Sequence, residues 1–166
     1  MKNIKSKKAF TMVELVFVIV IIGILAAVAV PRLAATRDDA EITKARVMVA
    51  SISNAVSMER QKRILRGDFA LIFRLTDSNT LGDRIFNAFN GDTNARVLEN
   101  PPFSCTLATD TNCWRETVTG TVDNPNNSRY TYNFSAGIGG SIIFQLNNNR
   151  FECVNQNSDN CKLLTQ

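Results

Sequence analysis

The sequence contains no histidine. That absence removes three-histidine zinc sites, histidine general bases and Ser-His-Asp triads at once. Cysteine is scarce, with four residues and no CxxC pair, so zinc-ribbon and thioredoxin spacings are missing too. There is no internal repeat, no sustained heptad pattern and no low-complexity linker. No nucleophile-base pair, phosphate loop or metal-ligand cluster rises above background. The reading is therefore structural: no enzyme and no cofactor are expected.

Acidic residues are missing from the first 13 positions, and this decides what the net charge of +4 means. Lys2, Lys5, Lys7 and Lys8 supply four of the 19 basic residues, leaving 15 basic against 15 acidic from Phe10 onward. The body of the chain is formally neutral. Steering of a polyanion needs clustered excess charge, so no nucleic-acid partner is expected, with DNA kept as an alternative.

What is present is a block of apolar residues. Phe10 to Val30 reads FTMVELVFVIVIIGILAAVAV, with Glu14 its one ionisable side chain. A helix of this length spans roughly 30 Å, about one bilayer core. The four lysines ahead of it favour a cytoplasmic N-terminus, with the rest of the chain crossing outward. A secretory signal cut near Ala27-Val28-Ala29, or a plain anchor, also predicts an apolar stretch. Neither accounts for Glu14, because a carboxylate within a membrane-length helix costs about 3 kcal/mol on insertion scales and tends to mark function.

Ala9-Phe10-Thr11-Met12-Val13-Glu14-Leu15, followed by the apolar run and Pro31, resembles the prepilin signal of type IV pilins and pseudopilins. Ala9 stands where that family usually carries Gly. The resemblance covers about the first quarter of the chain. It implies cleavage by a prepilin peptidase between Ala9 and Phe10, methylation of the new Phe10 amine, an assembly role for Glu14 and a helix bend at Pro31. It also implies homo- and hetero-pilin partners, membrane lipid and an inner-membrane assembly platform. The implied location is a single-pass inner-membrane subunit with its C-terminal region in the periplasm, or an extracellular filament. Type II secretion is the leading role; competence, DNA uptake and adhesion are the alternatives.

Beyond Pro31, Ile42, Ala45, Val49, Ile52 and Val56 recur at helical spacing and predict one buried stripe. Gly67 is the expected C-cap, preceded by Arg60, Lys62, Arg63 and Arg66, which suit the negative end of a helix dipole or could touch phosphates. A short helix carrying Leu81, Ile85, Phe86 and Phe89 is predicted in the latter half of 68–90. Strands are predicted over Thr117 to Val122, Tyr130 to Ser135, Ser141 to Leu146 and Phe151 to Val154, with turns at Gly137 to Gly140 and Asn147 to Asn149. The organisation expected is residues 1–9 leader, 10–30 transmembrane and assembly helix, 31–67 amphipathic continuation and 68–166 periplasmic globular region. The fold class is α+β, pilin-like, a long helix whose first half is transmembrane, packed on a small C-terminal antiparallel sheet.

Cysteines fall as Cys105, Cys113 and Cys153, Cys161. Export to an oxidising compartment favours disulfides, and local pairing is expected among three connectivities. Asp123, Asn124, Asn126 and Asn127, and Asn155, Asn157, Asp159 and Asn160, carry oxygen ligands that calcium accepts, although turn chemistry selects the same residues.

Overall fold

The computed structural model describes residues 10–165. The expected leader, residues 1–9, lies outside them. The elements run α1 Met12–Leu65, β1 Cys113–Val118, a 3-10 turn Pro125–Asn127, β2 Arg129–Asn133, β3 Ser141–Asn147, β4 Arg150–Cys153 and α2 Asp159–Thr165. The chain divides into two compact units, one ending at Arg37 and the other beginning at Asp38. This is an α+β layout.

In the second unit the predicted stripe of α1 is the buried one: Ala45, Val49, Ile52 and Val56 join the core, with Ile42 partly buried at its edge. Each fully buried Val or Ile contributes about 1.5–3 kcal/mol. The helix stops in a Schellman motif, Asp68 N–H to Arg63 O at 2.9 Å and Gly67 N–H to Ile64 O at 3.0 Å, with Gly67 at φ 75°. The four strands pair antiparallel in the order β1-β2-β3-β4. Asn147 pairs with Arg150, and Asn148 and Asn149 between them both take positive φ, as a two-residue hairpin turn of the primed type requires.

The inner face of the sheet is aromatic. Phe86 sits against Trp114, Tyr130 and Phe151 at ring-centroid distances of 5.5, 5.1 and 6.0 Å, and Phe144 stacks on Phe151 at 4.9 Å. Phe86 does not come from a helix. The helix predicted within 68–90 is absent, because Phe86 at φ 61° and Asn90 at φ 56° interrupt any helical run. Their segment bonds to distant chain instead: Ile85 N–H to Pro102 O, Leu98 N–H to Phe86 O and Phe89 N–H to Ala95 O. The apolar spacing was real burial without helical backbone. Ile85, Phe86, Ala88 and Phe89 are all buried, while Leu81 is half exposed.

The first strand also departs from expectation, lying at Cys113–Val118 rather than Thr117 to Val122. Arg115 and Glu116 read as loop residues until the tertiary partner of Glu116 is known. Arg74 reaches it with Nη2 to Oε2 at 2.6 Å and Nε to both oxygens at 3.1 Å, and the Glu116 side chain is 2% exposed. The Tyr130 hydroxyl donates to Glu116 Oε1 and accepts the Leu75 N–H at 2.8 Å. Burial alone disfavours the charged form of Arg74, but the hydrogen bond and charge of Glu116 outweigh it and its pKa is raised. Beyond the strand, Gly120 packs so closely on the Phe73 carbonyl that a Cβ there would collide with it.

Helix α2 carried no signal that the sequence reading used. Ser158 caps it, its Oγ accepting the Cys161 N–H at 3.3 Å, and Arg46 of α1 donates to the Leu163 carbonyl at 3.1 and 2.7 Å. At the start of the second unit Glu41 accepts the Ser135 N–H at 2.9 Å and Asp38 the Ser135 hydroxyl at 3.2 Å. Gly137 lies against the Asp38 carboxylate, where a Cβ would clash.

Two predictions follow from the buried polar groups. Glu116→Ala removes the partner that offsets desolvation of the part-buried Arg74 charge and leaves the Tyr130 hydroxyl without its acceptor, at a cost of about 3 kcal/mol of unfolding free energy, read by chemical denaturation of the full chain in detergent; a loss under about 1 kcal/mol would class the pair with exposed ion pairs. The chain has two tyrosines. Burial raises both, with Glu116 adding to the shift at Tyr130 and Glu41 at Tyr132, the latter pushed up to about 12. A raised folded pKa means stability fully present below the unfolded value of about 10 and lost as pH climbs through the folded one. Tyrosinate ultraviolet absorbance should stay absent through pH of about 10 and appear only as the chain unfolds. Half-ionisation near that pH in still-folded protein contradicts this.

Candidate functional site

The segment singled out by sequence, Phe10 to Pro31, begins at the first described residue. Phe10 is 78% exposed, and Ala9 lies outside the described residues. Thr11 caps the helix, its Oγ1 accepting the Glu14 N–H at 3.2 Å, and the Leu15 N–H reaches the Thr11 carbonyl at 3.3 Å. Thr11 was missed as a functional residue, although the T-x-x-E pattern of a capping box was present to find it. In a full capping box the glutamate reaches back to the cap. Here the Glu14 carboxylate is exposed and takes part in none of the side-chain hydrogen bonds or ion pairs among the described residues.

Valine and isoleucine fill this segment, residues of modest helix propensity in water. A nonpolar surrounding reverses the preference, because unpaired backbone groups there cost several kcal/mol each and a helix satisfies them within one segment. Side chains from Phe10 to Leu33 are exposed all round the helix. Such a helix is long and apolar enough to cross a membrane, and an apolar surface on every face needs lipid or other helices around it. Pro31 lies inside α1, and its missing amide leaves the Ala27 carbonyl without its usual intrahelical donor.

The cysteines form two disulfides within the second unit, Cys105 with Cys113 and Cys153 with Cys161, at Cα separations of 5.3 and 6.2 Å. The first fixes the segment that precedes β1 to its first residue, where Cys105 N–H also meets the Trp114 carbonyl at 2.9 Å. The second ties the end of β4 to α2.

One oxygen-rich loop bonds to the β3–β4 turn and the other to its own next residues. Asn126 Oδ1 accepts the Asn148 N–H at 3.0 Å, and the Asn155 carbonyl accepts the Ser158 hydroxyl at 2.8 Å. Among the described residues no three His, Cys, Asp or Glu side chains gather as a metal site. Of the basic cluster at the end of α1, Lys62 and Arg63 pair with Glu59 at 3.4 and 2.9 Å, while Arg60 and Arg66 make no ion pair among the described residues.

Residues 4–30 match the family model for the prokaryotic N-terminal methylation motif. Over 58 residues the chain is 36% identical to the type II secretion system core protein G of Vibrio cholerae serotype O1, a match covering 35% of this chain and 40% of that protein. The chain therefore matches well under two thirds of the length of this relative. No solved structure matches. With a methylation motif running into a membrane-length helix, and an α+β second unit, the chain is similar to type IV pilins and pseudopilins.

Proposed function

We propose that the chain is a filament subunit of a type II secretion pseudopilus, anchored in an inner membrane by α1 and held with its second unit on the periplasmic side. The observation that carries this is Glu14, the one carboxylate of the apolar segment from Phe10 to Val30, left free because Thr11 alone serves the helix N-terminus. Cleavage between Ala9 and Phe10 creates an ammonium four residues before Glu14. In a bundle of such helices the ammonium of one copy and Glu14 of the next relieve each other's desolvation. Apolar packing tolerates many axial offsets, whereas one buried ion pair selects a stagger, much as a polar residue sets register in a coiled coil.

Orientation follows from Lys2, Lys5, Lys7 and Lys8, which favour the cytoplasmic side, and from the two disulfides, which belong in an oxidising compartment. The secretion role is supported by the similarity to core protein G. A prepilin peptidase and an inner-membrane assembly platform are the partners this reading requires. Calcium has no part in it.

In the native host, mature protein is expected to begin at an N-methylated Phe10, read by intact mass and N-terminal sequencing. Glu14→Ala should be inserted and processed normally, since it removes the one charge in the span. Its incorporation into sheared or cross-linked filaments should fall sharply, because the unpaired ammonium costs about 3–5 kcal/mol. Glu14→Asp, one methylene shorter, should recover part of the yield. Wild-type filament yield from processed Glu14→Ala refutes the pairing. Periplasmic placement has its own check: peptide mapping without reductant should recover Cys105–Cys113 and Cys153–Cys161 linked, and free thiols at all four positions in host membranes would put the second unit on the reducing side.

A further inference from the structure

Asn90 and Gly91 form the one Asn-Gly pair in the sequence. The fold shows why it stands there. Phe89 and Asp92 close a two-residue turn, the Asp92 N–H reaching the Phe89 carbonyl at 3.0 Å, and both central residues take positive φ, 56° at Asn90 and 80° at Gly91. A turn of this primed type selects Asn followed by Gly, because few other residues tolerate that backbone.

The same pair is chemically reactive. A backbone nitrogen can attack the side-chain amide carbon of the asparagine before it, and a glycine obstructs that approach least because its α-carbon bears no side chain. In the fold, however, the Asn90 amide is held elsewhere. Its Oδ1 accepts the Phe73 and Arg74 N–H groups at 2.8 and 3.2 Å, and its Nδ2 donates to the Leu71 carbonyl at 3.3 Å. The Asn90 N–H adds a bond to the Arg74 carbonyl at 2.8 Å. Attack on the amide carbon destroys its planarity and expels Nδ2, so it cannot proceed with these side-chain bonds kept.

We infer that Asn90–Gly91 is a self-modification site, closed while the turn is clasped to residues 71–74 and open when that clasp lets go. In the open state the Gly91 nitrogen bonds to Cγ of Asn90, the Cγ–Nδ2 bond breaks, and the amide leaves as ammonia with the hydrogen that Gly91 gives up. Water then adds across one or the other carbon–nitrogen bond of the cyclic imide, leaving aspartate or isoaspartate at position 90 with no change of oxidation state. Neither product restores the turn. Aspartate has no N–H for the Leu71 carbonyl, and isoaspartate puts an extra carbon into the main chain of a two-residue turn. The reaction thus records irreversibly that the segment between α1 and the sheet has opened, and it uses no residue of the Phe10–Glu14 pairing.

The test incubates the full chain in detergent micelles at mildly alkaline pH, folded and in denaturant, and follows each asparagine by peptide mapping with mass spectrometry. In denaturant Asn90 should convert ahead of every other asparagine. In the folded chain it should convert at least about tenfold more slowly, since reaction then waits on local opening. Urea below the global transition should raise that folded-state rate. Asn149→Gly removes the acceptor of the Ile72 N–H while suiting the positive φ of its position, and should speed conversion at Asn90 in the folded chain only. It also sets a glycine behind Asn148, an exposed residue in a turn of the same type, and that asparagine should convert faster than Asn90 in the folded variant. A cooperative unfolding transition verifies that the variant is folded. Equal rates in folded and denatured wild-type chain, another asparagine leading in denaturant, or conversion at Asn148 as slow as at Asn90 in the folded variant overturns the proposal.

Discussion

A buried carboxylate organises the second unit. Glu116 points into the core from β1, and a carboxylate there is tolerable only with its lone pairs filled. Arg74 fills them from outside the sheet, Tyr130 from the neighbouring strand and Thr119 from the following turn. Each partner is positioned by the same act: Arg74 brings the irregular segment after α1 against the sheet, and the Tyr130 hydroxyl passes the link on by accepting the Leu75 N–H. The pair is thus less a source of net stability than a specification of which chain lies where.

That specification matters because residues 68–112 have neither helix nor ladder to satisfy their backbone. Buried amides there must find side chains or distant carbonyls. Asn90 accepts the Phe73 and Arg74 N–H groups on its Oδ1 and donates to the Leu71 carbonyl, and Asn149 accepts the Ile72 N–H. Such side-chain scaffolding lets Phe86 enter the aromatic cluster from a left-handed backbone, a conformation that costs on the order of 1–3 kcal/mol and persists only when its surroundings over-determine it. The disulfides act on the same problem, closing short loops at both ends of the sheet region.

The first unit obeys a different rule. From Phe10 to Leu33 its described side chains are all exposed, and their surroundings must supply what a core would. One consequence is economy of polar groups. Thr11 serves the backbone at the helix start, leaving the single carboxylate of the segment for an external partner. Had Glu14 completed a capping box, its charge would have been partly spent inside the chain.

The sequence by itself determined the apolar segment with its lone Glu14, the stripe from Ala45 to Val56, the Gly67 stop and the Asn turn, because each is a local property. Periodicity, a special backbone angle or an isolated charge can be read without knowing any distant neighbour. It mistook Leu81 to Phe89 for a helix, since burial at helical spacing does not require helical backbone, and it placed β1 four residues late, since the charge of Glu116 hid an inward-facing strand position. It did not anticipate α2. Only the tertiary structure decided that Arg74 neutralises Glu116, that Asn149 holds Ile72 and that Asn90 holds Phe73. These depend on residues far apart in sequence meeting in a desolvated space, where pairing determines whether a polar group is tolerated at all.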